Sequence, residues 1–355
     1  MPSGPIRLLL VEDSPVALAL LQRIFKDAPD LEVVGVARNG EEALAMIPTL
    51  KPTLICTDLH MPKMSGLELT EEVMSRFPCP ILVVSASVQP DDTQTVFRIL
   101  EAGALDIFPK PRAGLAAEFA KAKAELLSKV RILAGVSVFT HRRRSPLPTP
   151  PLVPLPVVAE QQTFKLVALG ASTGGPQALL AILQQLPSTF PVPIVCVQHI
   201  SDGFLQGLVD WLNVNCALRV AIATPGASPQ PGMVYFPPER HHLEVDPQGK
   251  LALTRGTPVS GHCPSVTVMF KSVATRYPRS AVGVLLTGMG RDGAEGLQAI
   301  AQAGGLTIAQ DEASCVVFGM PKEAIALEAA QHVLPLSAIA PFLLKQVCSL
   351  SQGDR

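Results

Sequence analysis

Charge of one sign is missing from this chain. Lys and Arg number 29 against 30 Asp and Glu, a formal net charge of -1. That balance offers no basic footprint for nucleic acid and no patch for an anionic membrane surface. Long apolar runs are missing too: none approaches the roughly 18 residues a membrane-spanning helix needs. Cysteine has no pattern. Cys56, Cys79, Cys196, Cys216, Cys263, Cys315 and Cys348 are scattered, with no C-x-x-C pair among them. An odd, unclustered set with members inside apolar runs reads as reduced thiols used as small hydrophobes in a cytoplasm. The opening MPSGPIRLLLVED reaches acidic residues too soon for a signal peptide and reads as a first strand.

What is present points to ordinary globular domains. The chain has 355 residues, 48% hydrophobic and 17% charged, too long for one compact core and rich enough in apolar residues to build two. Prolines number 34, and their placement divides the chain. From His141 to Thr163 the sequence holds Pro146, Pro148, Pro150, Pro151, Pro154 and Pro156 beside Arg142, Arg143 and Arg144. Pro-rich sequence without hydrophobic periodicity favours an extended, semi-rigid linker, spanning roughly 70 Å at about 3.1 Å per residue. The expected division is a first domain over 5–134, a Pro/Arg-rich linker over 135–163 and a second domain over 164–348.

Before the linker, short apolar runs at 6–11, 33–37, 53–57, 81–85 and 105–108 alternate with helical patterns near 15–27, 40–47, 67–76, 91–102 and 114–133. Such alternation predicts a doubly wound α/β fold with a parallel sheet. After the linker the same grammar returns at 165–170, 193–197 and 281–287. Between 232 and 255 short segments with turn signals, notably Asp246-Pro247-Gln248-Gly249, read as an inserted antiparallel hairpin. The fold class expected is thus α/β with two doubly wound parallel-sheet domains; the family resemblances given below imply that the first is flavodoxin-like and the second Rossmann-like.

In an open parallel sheet, ligands bind beyond the carboxyl ends of the strands. Glu12-Asp13 follow the first strand, Asp58 the third, Ser85 ends the fourth, and Lys110 follows the fifth. Three carboxylates gathered there repel one another unless a divalent cation holds them, and hard oxygen ligands suit Mg²⁺. Ser85 and Lys110 add a hydroxyl and a cation able to contact a phosphoryl group on Asp58. Helix capping explains Asp13 or Asp58 singly, but not five suitable residues at four strand ends. Glu12-Asp13-Ser14, the segment Asp58-Leu59-His60-Met61-Pro62-Lys63-Met64-Ser65-Gly66, and Lys110-Pro111 resemble the receiver domain of two-component response regulators. The resemblance implies that Asp58 accepts phosphate from a histidine kinase and that Glu12, Asp13 and Asp58 bind Mg²⁺. Two positions depart from it: Glu12 stands for the commoner Asp, and Ile107 stands where an aromatic switch residue is usual, with Phe108 one position late.

In the second domain the first strand runs into Gly170-Ala171-Ser172-Thr173-Gly174-Gly175-Pro176. Alone this loop reads two ways. It is a phosphate cradle without the G-K-[ST] ending or the full G-x-G-x-x-G spacing, or an exposed nucleophilic serine outside the G-x-S-x-G pattern. The neighbouring strand ends decide between them. One runs into Gln198-His199-Ile200, another into Gly288-Met289-Gly290-Arg291-Asp292-Gly293. A lone Asp292 reads as a helix cap, and His60, His141, His241, His242 and His332 read as structural. Together, Ser172, His199 and Asp292 supply a hydroxyl nucleophile, its base and the group that orients the base. Amides near Thr173 and Met289 are the oxyanion-hole candidates.

These motifs, with Cys263-Pro264-Ser265-Val266 and the later Gln310-Asp311-Glu312-Ala313-Ser314 and Val317-Phe318-Gly319-Met320-Pro321, resemble the catalytic domain of chemotaxis protein-glutamate methylesterases. Thr267 departs from the Asp common there. The resemblance implies demethylation of glutamate methyl esters on chemoreceptor cytoplasmic helices, with deamidation of glutamines as a second activity, under control of a chemotaxis histidine kinase. It implies no cofactor in the catalytic domain. The composition adds a cytoplasmic protein without nucleic-acid or membrane partners, read as a monomer. A response regulator whose second domain binds DNA or a nucleotide is the rival reading, weakened by the lack of a basic helix-turn-helix signature.

Overall fold

Local sequence explains how the first elements start and stop. In a computed structural model, which describes residues 4–85, 93–111, 116–136, 138 and 163–348, strand β1 (Ile6–Val11) buries its last four side chains. Helix α1 (Pro15–Lys26) begins where the sequence predicts: Ser14 caps it by accepting from the Ala17 amide, and Pro15 occupies the first turn. Arg23 and Lys26 complement the negative end of its dipole. The chain continues through β2 (Leu31–Ala37), α2 (Gly40–Leu50), β3 (Leu54–Thr57), α3 (Gly66–Arg76), β4 (Ile81–Ser85), α4 (Thr93–Glu101), β5 (Asp106–Pro109) and α5 (Ala116–Leu133). The parallel sheet has the order β2-β1-β3-β4-β5. Strand order reverses beside β1, so the crevice opens where β1 and β3 end, at Glu12-Asp13 and Asp58. Burial pushes the Cys56 and Cys79 thiols up to about 12, which suits cysteines that pack and do not react.

Two compact units divide the chain, Met1–Val158 and Ala159–Arg355. The Pro-rich segment with its arginine run and His141 lies outside the described residues, as do the starts expected for the helices near 91 and 114.

The second unit contains β6 (Leu166–Ala171), α6 (Gly175–Leu183), β7 (Ile194–Gln198), α7 (Leu205–Asn215), β8 (Arg219–Ile222), β9 (Met233–Phe236), β10 (His242–Val245), β11 (Leu251–Thr254) and α8 (Val266–Arg276). There follow β12 (Ala281–Leu285), α9 (Ala294–Gln302), β13 (Leu306–Gln310), α10 (Met320–Ala326), β14 (His332–Leu334) and α11 (Leu336–Cys348). Seven strands form one parallel sheet in the order β14-β13-β12-β6-β7-β9-β8.

Here the structure corrects the reading of residues 232–255. Only β10 and β11 form the antiparallel hairpin, closed by Asp246, whose carboxylate accepts from the Gln248 and Lys250 amides. Strand β9 instead joins the main sheet, parallel to both β7 and β8. Its MVYF sequence is buried at three successive positions, the signature of a strand covered on both faces. The sheet therefore holds β8, β9, β13 and β14 beyond the three strands expected.

Strand β6 sits between β12 and β7. The chain leaves β6 towards one side of the sheet and later crosses to the other, so the switch-point crevice lies beyond its carboxyl end. Beneath it, Val266, Met269 and Phe270 of α8 pack with Leu285, Leu297 and Met320 in a buried cluster.

Candidate active site and acidic pocket

Register carries Ser172, His199 and Asp292 to the same edge. Ala171 pairs with Gln198 and Gly170 with Leu285 across β6, so the residues that follow each strand meet. The Ser172 amide donates to the Thr287 carbonyl at 3.0 Å, and the His199 amide to the Ala171 carbonyl at 3.0 Å. The buried Gln198 amide group donates to the carbonyls of Ser172 and His199, each at 2.8 Å. Gly288 is required by close approach: a Cβ there would lie 2.7 Å from Ser172 Cβ and 2.3 Å from Met320 Sδ.

Asp292 is almost fully buried, yet its carboxylate is saturated with donors. Oδ1 accepts from the Ser265 hydroxyl at 2.8 Å, the Thr267 amide at 3.0 Å and the Gly293 amide at 3.0 Å. Oδ2 accepts from the Val266 amide at 2.7 Å and lies 2.9 Å from His199 Nε2. The donors Val266 and Thr267 open α8, so the carboxylate rests on that helix N-terminus, where amides and dipole favour an anion. Burial works against the charge, but the hydrogen bonds from His199, Ser265 and Thr267 outweigh it and hold the Asp292 carboxyl well below the usual range. Asp292 does not cap α9: the cap position is Gly293, with no side-chain bond.

A carboxylate only accepts, so His199 Nε2 carries a proton toward Asp292, which in the neutral ring leaves Nδ1 as the unprotonated nitrogen. Nδ1 is buried and has no hydrogen-bond partner among the described residues. In the neutral imidazole the Nδ1 lone pair is therefore unspent. Thr173 is buried, its carbonyl accepting from the Thr287 hydroxyl at 2.9 Å. Met289 follows Gly288, whose amide is tied to the Val317 carbonyl at 3.0 Å.

Three contributors escape a reading of the sequence alone. Gln198 and Ser265 sit within motifs already singled out, but nothing in those motifs marks Gln198 as a clamp on two carbonyls or Ser265 as a partner of Asp292. His262 carries no signal at all, yet its ring stacks on His199 at 3.8 Å between centroids and 5° between planes. His242, expected to be structural, is buried and accepts from the Ser265 amide at 3.2 Å.

In the first unit the expected pocket residues also gather. Lys110 Nζ lies 2.6 Å from Asp58 Oδ2 and 2.8 Å from Glu12 Oε1. Asp58 Oδ1 accepts from the Leu59 amide at 2.7 Å. Ser85 is buried, its carbonyl accepting from the Lys110 amide at 2.7 Å, and Ile107 and Phe108 are both buried. Burial pushes the Glu12 carboxyl above its ordinary value, Asp58 adding to the rise and Lys110 opposing it. Burial also works against the charge on Lys110, but the two carboxylates outweigh it and raise its pKa. Carboxylate oxygens of Glu12, Asp13 and Asp58 lie within 4.8 Å of one another. Glu12 Oε2 is buried and has no hydrogen-bond partner among the described residues. An orphaned anionic oxygen beside two further carboxylates fits a hard divalent cation.

Family models place both units. One described as CheB methylesterase matches residues 167–343, and one described as response regulator receiver domain matches residues 8–117. The chain is 43% identical over 349 residues to protein-glutamate methylesterase/protein-glutamine glutaminase 1 of Syntrophus aciditrophicus, covering 98% of this chain and 99% of that protein. It is 42% identical over 345 residues to the protein-glutamate methylesterase/protein-glutamine glutaminase of Nitrosospira multiformis, covering 96% and 97%. The crystal structure of the Thermotoga maritima CheB methylesterase catalytic domain is similar at 39% identity and a TM-score of 0.51, covering 52% of this chain and all of that one.

Proposed function

The chain belongs to the CheB methylesterase family and carries a response regulator receiver domain, and from that premise we propose a phosphorylation-regulated serine hydrolase that demethylates glutamate methyl esters on chemoreceptors and deamidates receptor glutamines. The observation that carries the chemical part is the His199 ring, engaged by Asp292 through Nε2 and without a partner at Nδ1 among the described residues. Ser172 attacks the ester carbonyl carbon while Nδ1 takes its proton. Amides near Thr173 and Met289 receive the developing oxyanion. Collapse of the tetrahedral intermediate expels methanol, which leaves with the proton held on Nδ1. Water, activated by the same nitrogen, then frees the acid from Ser172. The test is methanol release from methylated receptor membranes, which should fall by orders of magnitude in the Ser172→Ala chain.

Catalysis in this reading is confined to 164–348 and control to 5–134, with 135–163 between them. The enzyme works as a monomer in the cytoplasm. Among the described residues no helix is long and apolar enough to cross a membrane.

Gly288→Ala should lower the rate about 100-fold, because the new methyl displaces Ser172 or Met320 and a shift of about 1 Å costs that much. The check is kcat for methanol release beside the melting temperature. A native kcat would show that the loop yields without moving Ser172.

In the receiver, Asp58 is the phosphoacceptor, with a chemotaxis histidine kinase as donor and Ser85 and Lys110 reading the phosphoryl group. Glu12, Asp13 and Asp58 would hold Mg²⁺, which supplies charge neutralisation at the phosphoryl oxygens. A small phosphodonor with Mg²⁺ should modify the native chain and stimulate hydrolysis about tenfold, a coupling of ~1.4 kcal/mol. Asp58→Asn should show neither effect. Mass spectrometry that located the stable modification on another residue would overturn the assignment.

Glu12 also predicts how metal binding depends on pH. A carboxyl raised above its ordinary value keeps its proton to higher pH, and the proton must leave before the oxygen can coordinate. Mg²⁺ affinity should therefore weaken as pH falls toward the Glu12 value from above. Glu12→Gln should flatten that dependence in a Mg²⁺ titration.

A further inference from the structure

The imidazole of His199 has an incomplete set of restraints at its edge. Nε2 is tied to Asp292 at 2.9 Å, while Nδ1 has no partner among the described residues. One hydrogen bond fixes a ring's distance from its partner but leaves the ring plane free to turn about the bond, because such bonds tolerate a wide range of angles. A general base needs that plane fixed, since the lone pair of Nδ1 lies in it.

The face of the ring is where the missing restraint lies. His262 stacks on it with 3.8 Å between centroids and 5° between planes, a separation at which flat rings are in van der Waals contact. The backbone behind His262 is itself fixed. Val259 and His262 exchange both backbone hydrogen bonds, each at 3.0 Å. Between them Ser260 and Gly261 both have positive φ, 52° and 85°, the pattern of a tight two-residue hairpin turn. A few residues further on, Ser265 grips Asp292 through its hydroxyl. One short segment thus holds the carboxylate that orients His199 and presents a flat plate to the ring itself.

We propose that His262 is a positioning residue for hydrolysis, its ring plane keeping His199 in the orientation that turns Nδ1 to Ser172 and Nε2 to Asp292. The inference rests on His199 being the general base. The property required of position 262 is flatness, not proton transfer, so another aromatic ring should substitute for it.

The experiment compares methanol release by the full chain and its His262→Ala, His262→Phe and His262→Leu variants, with His199→Ala as the reference. His262→Ala should lower kcat about 10- to 100-fold with KM within about twofold, as expected when a reacting group is misplaced and binding is untouched. His262→Phe should recover kcat to within about threefold of native. His262→Leu, which fills the space without a flat face, should stay low and serves as the deficient variant if the alanine chain does not fold. In NMR, the His199 Nε2 proton should be sharp in the native and Phe chains and broadened in the Leu chain. Native kcat in His262→Ala or His262→Leu would overturn the proposal, as would a His262→Phe chain as slow as the leucine one. Activity surviving in His199→Ala would instead overturn the assignment of the base.

Discussion

Methanol release from methylated receptor membranes should fall on the order of 10⁶-fold in the Ser172→Ala chain, and by a similar factor in His199→Ala. The two act as one unit, because a hydroxyl without its base is a poor nucleophile and a base without the hydroxyl has nothing to activate. The double variant should therefore cost little more than either single one. What survives comes from oxyanion stabilisation and binding alone. The surroundings of both residues favour a clean result. Ser172 is placed by its own amide and carbonyl, bonded to Thr287, Gly175 and Gln198, and removing its hydroxyl leaves those bonds intact. Retention of most activity in Ser172→Ala, with the melting temperature unchanged, would sink the nucleophile assignment.

Asp292→Asn should cost less, about 10⁴-fold, but it should also destabilise the fold. Five donors converge on the native carboxylate, three on Oδ1 and two on Oδ2. An amide that keeps its oxygen toward Ser265, Thr267 and Gly293 turns an NH₂ group toward the Val266 amide and His199 Nε2. The Val266 donor then loses its acceptor, a penalty of about 1–3 kcal/mol for a buried group. His199 can accept from the new NH₂ only by moving its proton to Nδ1, the nitrogen that must be free to act as base. Activity and stability should thus fall together. The stability difference depends on pH with a definite sign. Because the Asp292 carboxyl is held below its ordinary value, its contribution is complete above about 3.9, the unfolded value. It is lost as pH falls from there through the folded value. Denaturation by urea should show the gap between native and Asp292→Asn constant near neutral pH and narrowing below about pH 4. A gap that widened on acidification would contradict the structure.

The regular parts of the fold were legible because they rest on local chemistry. Ser14 and Pro15 mark the start of α1 whatever the rest of the chain does. Alternation of apolar runs with amphipathic segments specifies parallel strands and crossover helices. Where the sheet collects short strands, legibility failed. MVYF at β9 looks like one arm of a hairpin, because turn signals surround it and nothing local tells which strands it pairs with. Its place between β7 and β8 is decided by burial on both faces, a property of the assembled sheet. The three-residue strand β14 is an edge too short to show any period.

At the site the division is sharper. By itself the sequence determined which residue types stand at the strand ends: Ser172, His199 and Asp292 in one unit, and Glu12, Asp13, Asp58, Ser85 and Lys110 in the other. Strand-end position follows from hydrophobic pattern, and chemistry follows from residue type. Only tertiary structure decided how the groups are used. It chose Nε2 for Asp292, left Nδ1 without a partner among the described residues, set the carboxylate on the N-terminus of α8, and laid the ring of His262 against His199. The physical reason is that hydrogen-bond direction and ring stacking act over a few ångströms between residues remote in the chain. No periodicity records such contacts, and they exist only once β6, β7, β12 and α8 have packed.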